Sequence, residues 1–306
     1  MKSETRQSYE EAVRGTVARI ARSLDDALDL RALAKAAALS PFHFHRIFRG
    51  MVGETPLELH RRLRLERAAH ALAVGEHPVT RIALGAGYET HESFTRAFRR
   101  RFGRTPSVFR ERARGIDAEE CLLVARLPSR SGIHFRPDGA IAGLRFPREG
   151  ESMHVDIETL DTMRVAAVRH VGPYHRIAEA FAALHGHAGP AGLYGPESAM
   201  VALYYDDPEA TPATELRSDA GLVVRADAAL PEGLREVHIP AGRYALGLHV
   251  GPYAGLGDAW ETLMGQWLPA SGERLAVTAT TFERYLNDPS QTPEAELRTQ
   301  LCLGLD

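Results

Sequence analysis

A thirteen-residue pattern recurs fifty positions apart: FHRIFRGMVGETP at 44–56 and FTRAFRRRFGRTP at 94–106, identical at seven positions. In the second copy Phe94, Ala97, Phe98 and Phe102 repeat at i, i+3, i+4 and i+8, which is one buried face of a helix. At about 100° per residue, Glu92, Arg96, Arg99 and Arg100 fall on the opposite face, with Ser93 and Thr95 at its edges. Val79, Ile82 and Ala83 predict a short preceding helix, Gly85-Ala-Gly87 a turn, and Thr90 an N-cap. The first copy has the same plan. A short helix over 30–38 leads to Ser40-Pro41, an N-cap followed by a proline in the first turn. Phe44, Ile47, Phe48, Met51 and Val52 are the expected buried residues there, and Phe42, His43, His45, Arg46 and Arg49 the outward ones. Upstream, Ser8-Tyr-Glu-Glu11 reads as a capping box that opens a first helix. Thr55-Pro56 starts a helix to about Val74, roughly 27 Å long at 1.5 Å per residue, that joins the two copies. With its flanking turns it can space two helices for successive major-groove faces, about 34 Å apart.

Charge separates this half from the rest. Residues 1–115 hold 22 Lys and Arg against 13 Asp and Glu, whereas the remainder holds 15 against 27. A basic half joined to an acidic one suits a polyanion-binding domain carried by a partner domain. Residues 8–113 resemble the DNA-binding domain of the AraC/XylS transcription regulators, through Ile82, Ala83, Gly87, Tyr88, Phe94, Arg96, Phe98, Gly103 and Pro106. The resemblance implies an all-α domain with two helix-turn-helix motifs over 1–115. It implies base readers at Phe42, His45 and Arg46, then His91, Glu92, Ser93 and Arg96. The chemistry agrees, since Arg46 and Arg96 suit guanine, Glu92 cytosine and Phe42 a thymine methyl. For His43, His45 and His91 a solvated surface role stands equal to base contact. Arg49, Arg99, Arg100, Arg101 and Arg104 suit phosphates.

A composition of 44% hydrophobic and 25% charged residues is that of a globular chain. No apolar run reaches the ~18 residues of a membrane span. The polar start MKSETRQSYEE is unlike a signal peptide. Cys121 and Cys302 stand apart, which predicts neither a zinc site nor a disulfide framework, and the expected compartment is a bacterial cytoplasm. Residues 116–153 read as a linker with local structure, in which Cys121–Leu127 and Ala140–Phe146 have the composition of short strands.

The second half carries its own duplication. HVGPY occurs at 170–174 and 249–253, each time after a strand-like run and before a helical one. DDPEATPATELR at 206–217 recurs as NDPSQTPEAELR at 287–298. Each unit thus reads strand, helix, strand, proline-marked loop, strand. Two such units predict an α+β domain: an antiparallel sheet, both helices on one side, and a concave face between the repeats. The offset of the second pair aligns Ala202 with Glu283, so a carboxylate replaces a small apolar residue on a strand. Alternation puts Glu283 on the face of Tyr285 and opposite Phe282, Arg284 and Leu286. Such a carboxylate needs a partner or a ligand, and a salt bridge on an exposed sheet face is the competing explanation.

This half, 154–306, resembles the GyrI-like effector-binding domain, through the two HVGPY turns, FERYLNDP and the terminal LRTQLCLGL. The resemblance implies that Glu283 receives a cationic or polarised ligand among rings, with Tyr174, Tyr204, Tyr253, Trp260, Phe282 and Tyr285 as candidates. Aromatic faces and one carboxylate suit a flat lipophilic cation. The expected whole is a one-component transcription regulator. Its partners are promoter DNA and a small effector, with RNA polymerase contact as one route for the response. No cofactor, metal or membrane is expected, and a monomer with two recognition helices can bind an asymmetric site. Two alternatives stay open for the C-terminal half. One is a small-molecule hydrolase with Glu283 as general base and Tyr253 or Tyr174 orienting the substrate. The other is a protein-binding module.

Overall fold

The computed structural model describes residues 2–140, 143–146, 153–206, 211–276 and 281–306. The chain divides into two compact units, one of Glu10–Ala37 with Phe48–Pro147, the other of Met1–Tyr9, Ala38–Ile47 and Arg148–Asp306.

The first of these units is helical. Helix α1 (Lys2–Arg22) feeds into it, followed by α2 (Leu30–Ala36) and the end of α3 (Pro41–Val52). Then come α4 (Pro56–Val74), α5 (Val79–Gly85), α6 (His91–Phe102), α7 (Pro106–Ala113) and α8 (Ala118–Val124). Helix α1 already runs before Ser8, so the expected capping box there is not its start. The Thr55 box does open α4: Thr55 Oγ1 accepts from the Glu58 amide, and the Glu58 carboxylate accepts from the Thr55 amide. Between α5 and α6 the chain turns at Gly87, where φ is +79°. The Tyr88 amide donates to the Ala83 carbonyl and the Gly87 amide to that of Leu84, which closes the helix end with paired bonds. Thr90 then caps α6 by accepting from the Ser93 amide. Phe94 and Phe98 are fully buried with Leu65, Ala69, Leu72, Ile82, Ala83 and Phe109. Phe98 stacks on Phe102 at 4.4 Å and meets Phe109 edge-on.

The stretch expected as a strand at Cys121–Leu127 is instead the end of α8 and the turn after it. Asp117 accepts from the Glu120 amide, a helix N-cap, and Cys121 and Ala125 bury one face at helical spacing. Residues 143–146 form no strand, and 141–142 lie outside the described residues. What holds the 127–135 segment is a buried ion cluster on α4. Arg62 bonds Glu54 at 2.6 Å, Glu66 at 2.9 Å and the Ile133 carbonyl at 2.9 Å. Glu66 also accepts from the Leu127 and Phe135 amides and lies 3.0 Å from His134 Nδ1. Burial pushes the Glu66 carboxyl up, but His134, Arg62 and the two amides outweigh it and hold the group below its ordinary range.

The second unit is built on one eight-stranded antiparallel sheet. Its strands are β1 (Val155–Leu160), β2 (Met163–Val171), β3 (Met200–Tyr204), β4 (Arg217–Val224), β5 (Arg235–Ile239), β6 (Gly242–Val250), β7 (Phe282–Tyr285) and β8 (Arg298–Leu305). Helix α9 (Ala178–Ala188) precedes β3, and α10 (Leu256–Thr262), continued by a wider turn to Trp267, precedes β7. The strand order β1-β6-β8-β7-β3-β4-β2-β5 reads the same from either end when the two repeats are exchanged. The duplication is therefore a pseudo-two-fold, with its axis between β3 and β7. Each repeat has one more strand than the sequence reading gave it, because β1 is a largely exposed edge strand with no apolar run, and β5 is its counterpart. The exchanged edges tie the repeats together, since β1 pairs with β6 and β5 with β2.

The HVGPY turns explain their own recurrence. His170 Nε2 donates to the Pro173 carbonyl at 3.1 Å, and His249 Nε2 to that of Pro252 at 3.1 Å. Gly172 and Gly251 have φ of +143° and +134°, which favours glycine. Their amides donate to Leu216 and Leu297, so each turn is bonded to the strand that closes its repeat. Asp206 and Asn287, equivalent in the two loops, each accept from a backbone amide, of Arg217 and Arg298 respectively. Asp207 and Pro208 of the first loop lie outside the described residues.

Candidate functional site

Glu283 and Ala202, equivalent in the duplication, are cross-strand partners at the pseudo-two-fold axis. Two carboxylates opposite each other here would repel, and the structure carries one. Glu283 is 3% exposed. Its Oε2 accepts from the Tyr204 hydroxyl at 3.0 Å and the Tyr285 hydroxyl at 2.9 Å, and its Oε1 accepts from the Trp260 indole at 2.8 Å. Burial and then the Glu283 charge push both phenols well above their ordinary range, so they stay neutral donors.

The rings around this carboxylate are paired by the same symmetry. Tyr174 meets Tyr204 edge-on at 4.9 Å, and Tyr253 meets Tyr285 edge-on at 5.4 Å. Tyr174 is anchored by donating to the Asp206 carbonyl at 2.7 Å, while Tyr253 is 39% exposed. The symmetry is broken twice, at Glu283 opposite Ala202 and at Trp260 opposite Phe181. The two breaks belong together, because the indole N–H that replaces a phenyl is the donor to the carboxylate that replaces a methyl. Phe181 packs edge-on against Tyr285 at 5.5 Å and joins the group. Phe181 was not among the expected ligand residues, although the HVGPY offset that aligns Tyr174 with Tyr253 also aligns Phe181 with Trp260.

Six of the expected ligand residues thus come together: Glu283, Tyr285, Tyr174, Tyr204, Tyr253 and Trp260. Phe282 does not. It is fully buried on the opposite face of the sheet, against Tyr244 at 5.7 Å and among Val165, Val201 and Leu246. Strand alternation required this.

Helix α3 departs from expectation in a way that bears on this site. His43 and His45 are buried rather than outward, and Arg46 is half-buried. The reason is that residues 38–47 belong to the same compact unit as 148–306. The Arg46 guanidinium lies over the Trp260 ring, 5.3 Å from its centroid, and His43 Nε2 is 2.8 Å from Thr281 Oγ1. Burial pulls the Arg46 guanidinium below its ordinary value, and the negative charges of Glu283 and Glu261 oppose that pull. Arg49 is exposed, and the side chain of Phe42 lies outside the described residues.

In the helical unit, α6 presents His91, Glu92, Arg96, Arg99 and Arg100 to solvent, on the face opposite Phe94 and Phe98. Ser93 is half-buried, and its hydroxyl donates to the Thr90 carbonyl, so it serves the helix cap. Arg101 is exposed and Arg104 half-buried. No described helix is long and apolar enough to cross a membrane.

Comparison with known proteins matches two stretches of the chain. Residues 153–306 match the GyrI-like small molecule binding domain, and residues 33–112 match a helix-turn-helix domain. The regulatory protein SoxS of Escherichia coli K12 is 34% identical over 105 residues, covering 34% of this chain and 98% of that protein. A DNA gyrase inhibitor of Erwinia billingiae is 34% identical over 153 residues, covering 47% of this chain and 94% of that protein. The transcriptional activator RclR of Escherichia coli K12 is 41% identical over 87 residues, 28% of this chain and 31% of that protein.

Proposed function

We infer the function of this chain from its family: it belongs to the GyrI-like small-molecule-binding family and carries an AraC-type helix-turn-helix region in the same polypeptide. It is a DNA-binding transcription regulator with a small-molecule-sensing domain. We propose further that the sensed molecule is an aromatic cation, and that Glu283 is its counter-charge. The observation that carries this is a buried carboxylate whose three side-chain donors are all neutral, set among four tyrosines and an indole. Three neutral hydrogen bonds orient the charge without cancelling it, and ring faces add about 0.5–2 kcal/mol of attraction for a cation.

The same geometry supports sensing over hydrolysis. A general base needs a lone pair aimed at the proton it removes. Two donors already converge on Oε2 and one on Oε1, which suits an anchor for charge. For DNA, Arg96 on the exposed face of α6 is the base reader of the second motif, and Arg99 and Arg100 are phosphate contacts. Promoter binding places the chain in the cytoplasm.

Calorimetric titration of the full chain with biphenyl-4-carboxamidine and its neutral amide tests the ligand reading. Saturable binding of the amidinium, at least tenfold tighter than the amide and lost in Glu283→Gln, is the expected result. Equal binding of both compounds, or binding indifferent to Glu283→Gln, refutes it. On the DNA side, Arg96→Ala should cost about 1–3 kcal/mol and relax preference at one base pair, whereas Arg99→Ala should weaken all sequences alike. A uniform loss for Arg96→Ala in a binding-site selection removes it as a base reader.

A further inference from the structure

A cationic side chain of the chain itself lies against one ring of this site. Arg46 lies over the Trp260 ring, and the same indole donates to Glu283. The anchorage extends along the segment. His43 reaches Thr281, two residues before Glu283 on the strand that carries it, and Ala38–Ile47 shares one compact unit with 148–306.

We propose that Arg46 is a built-in occupant of the Glu283 site, that the effector is a planar delocalised cation which displaces it from Trp260, and that displacement releases residues 38–47 for DNA. The proposal rests on the reading of Glu283 as a cation site and goes beyond it by naming the competitor and what competition does. Three arguments support it. A guanidinium is planar, weakly hydrated and suited to stacking on an indole, so it defines by example the chemistry the site accepts. A neutral ligand that expelled Arg46 would leave Glu283 buried without a counter-charge, at a large desolvation cost, so displacement selects for cations. Finally, Arg46 stands on the face that the helix-turn-helix pattern assigns to DNA, and in this arrangement His43 and His45 beside it are buried. One side chain cannot serve both partners at once, so effector and DNA are linked. A cation that vacates Arg46 strengthens DNA binding, and DNA that holds Arg46 strengthens cation binding by the same factor.

An internal competitor weakens apparent affinity by the fraction of time it occupies the site. Removing it must therefore tighten the ligand. We would titrate biphenyl-4-carboxamidine into the full-length chain, without DNA, for the wild type, Arg46→Gln, Arg46→Lys and Glu283→Gln. Arg46→Gln is expected to tighten binding at least tenfold. Arg46→Lys should fall between it and the wild type, since an ammonium is more strongly hydrated and stacks less well. In parallel, the amidinium should accelerate amide hydrogen exchange across 38–47 in the wild type. Unchanged or weaker binding in both Arg46 variants, or exchange across 38–47 that does not respond, overturns the occupant role while Glu283→Gln still abolishes binding and leaves the cation site standing. Binding that survives Glu283→Gln, or no binding in any variant, overturns the cation site and this proposal with it.

Discussion

Ala38 has φ of +55°, among the described residues the one non-glycine in the left-handed region. It ends α2 as Gly87 ends α5, where φ is +79°. A side chain in that region costs about 1–2 kcal/mol. Ala38→Gly should therefore stabilise the chain by about 1 kcal/mol in urea denaturation, and Gly87→Ala should cost at least as much. His43 gives a second test at this scale. Burial, and next the nearby Arg46, lower its pKa to about 4 from an ordinary 6.5. Among the groups facing it are Ser40, Thr281 and Arg46. The unfolded chain binds a proton here below pH 6.5 and the folded one only near pH 4. Stability is thus full above about 6.5, falls with acidification and levels off below 4. By pH 5 the loss is about 2 kcal/mol. Denaturation at pH 7.5 and 5 should show that slope in the wild type and lose it in His43→Gln. An equal slope in both assigns it to other groups.

Helix α4 shows what a sequence pattern conceals. Its start was legible from Thr55-Pro56, but nothing in the sequence hints that Arg62 and Glu66 are buried. Their partners, Leu127, Ile133, His134 and Phe135, lie some sixty to seventy residues away in a stretch with no helical periodicity to announce them. That is why 127–135 reads as part of a linker: its order comes from a distant ion cluster and not from local periodicity. Breaking a buried pair costs about 3–5 kcal/mol, because a charge is left behind. Glu66→Ala should lose that much stability and expose the 127–135 segment to protease. Resistance equal to that of the wild type would show that the cluster does not hold the segment. The HVGPY elements show the reverse. There the repeated glycine and histidine are read directly as a turn, because the bond from each histidine to the proline carbonyl three residues on is local.

At the scale of the whole molecule the duplications were the legible part. They gave a double helix-turn-helix and a pseudo-symmetric α+β domain, and the carboxylate standing on β7 where the first repeat has Ala202 pointed to Glu283. Strand alternation also carried enough to set Phe282 aside. What the sequence could not show is that Trp260 departs from symmetry in order to bond Glu283, nor that Arg46 lies over that indole. Both depend on approaches between segments with no periodicity in common. The account therefore stands on coupling between the site around Glu283 and DNA. An operator selected by the chain from random-sequence duplexes allows its direct measurement, as the DNA affinity of the wild type and Glu283→Gln with and without saturating biphenyl-4-carboxamidine. Coupling of 1–3 kcal/mol predicts that the amidinium tightens wild-type DNA binding about 5- to 150-fold and leaves Glu283→Gln unmoved. No response in the wild type, or the same response in both proteins, would contradict it.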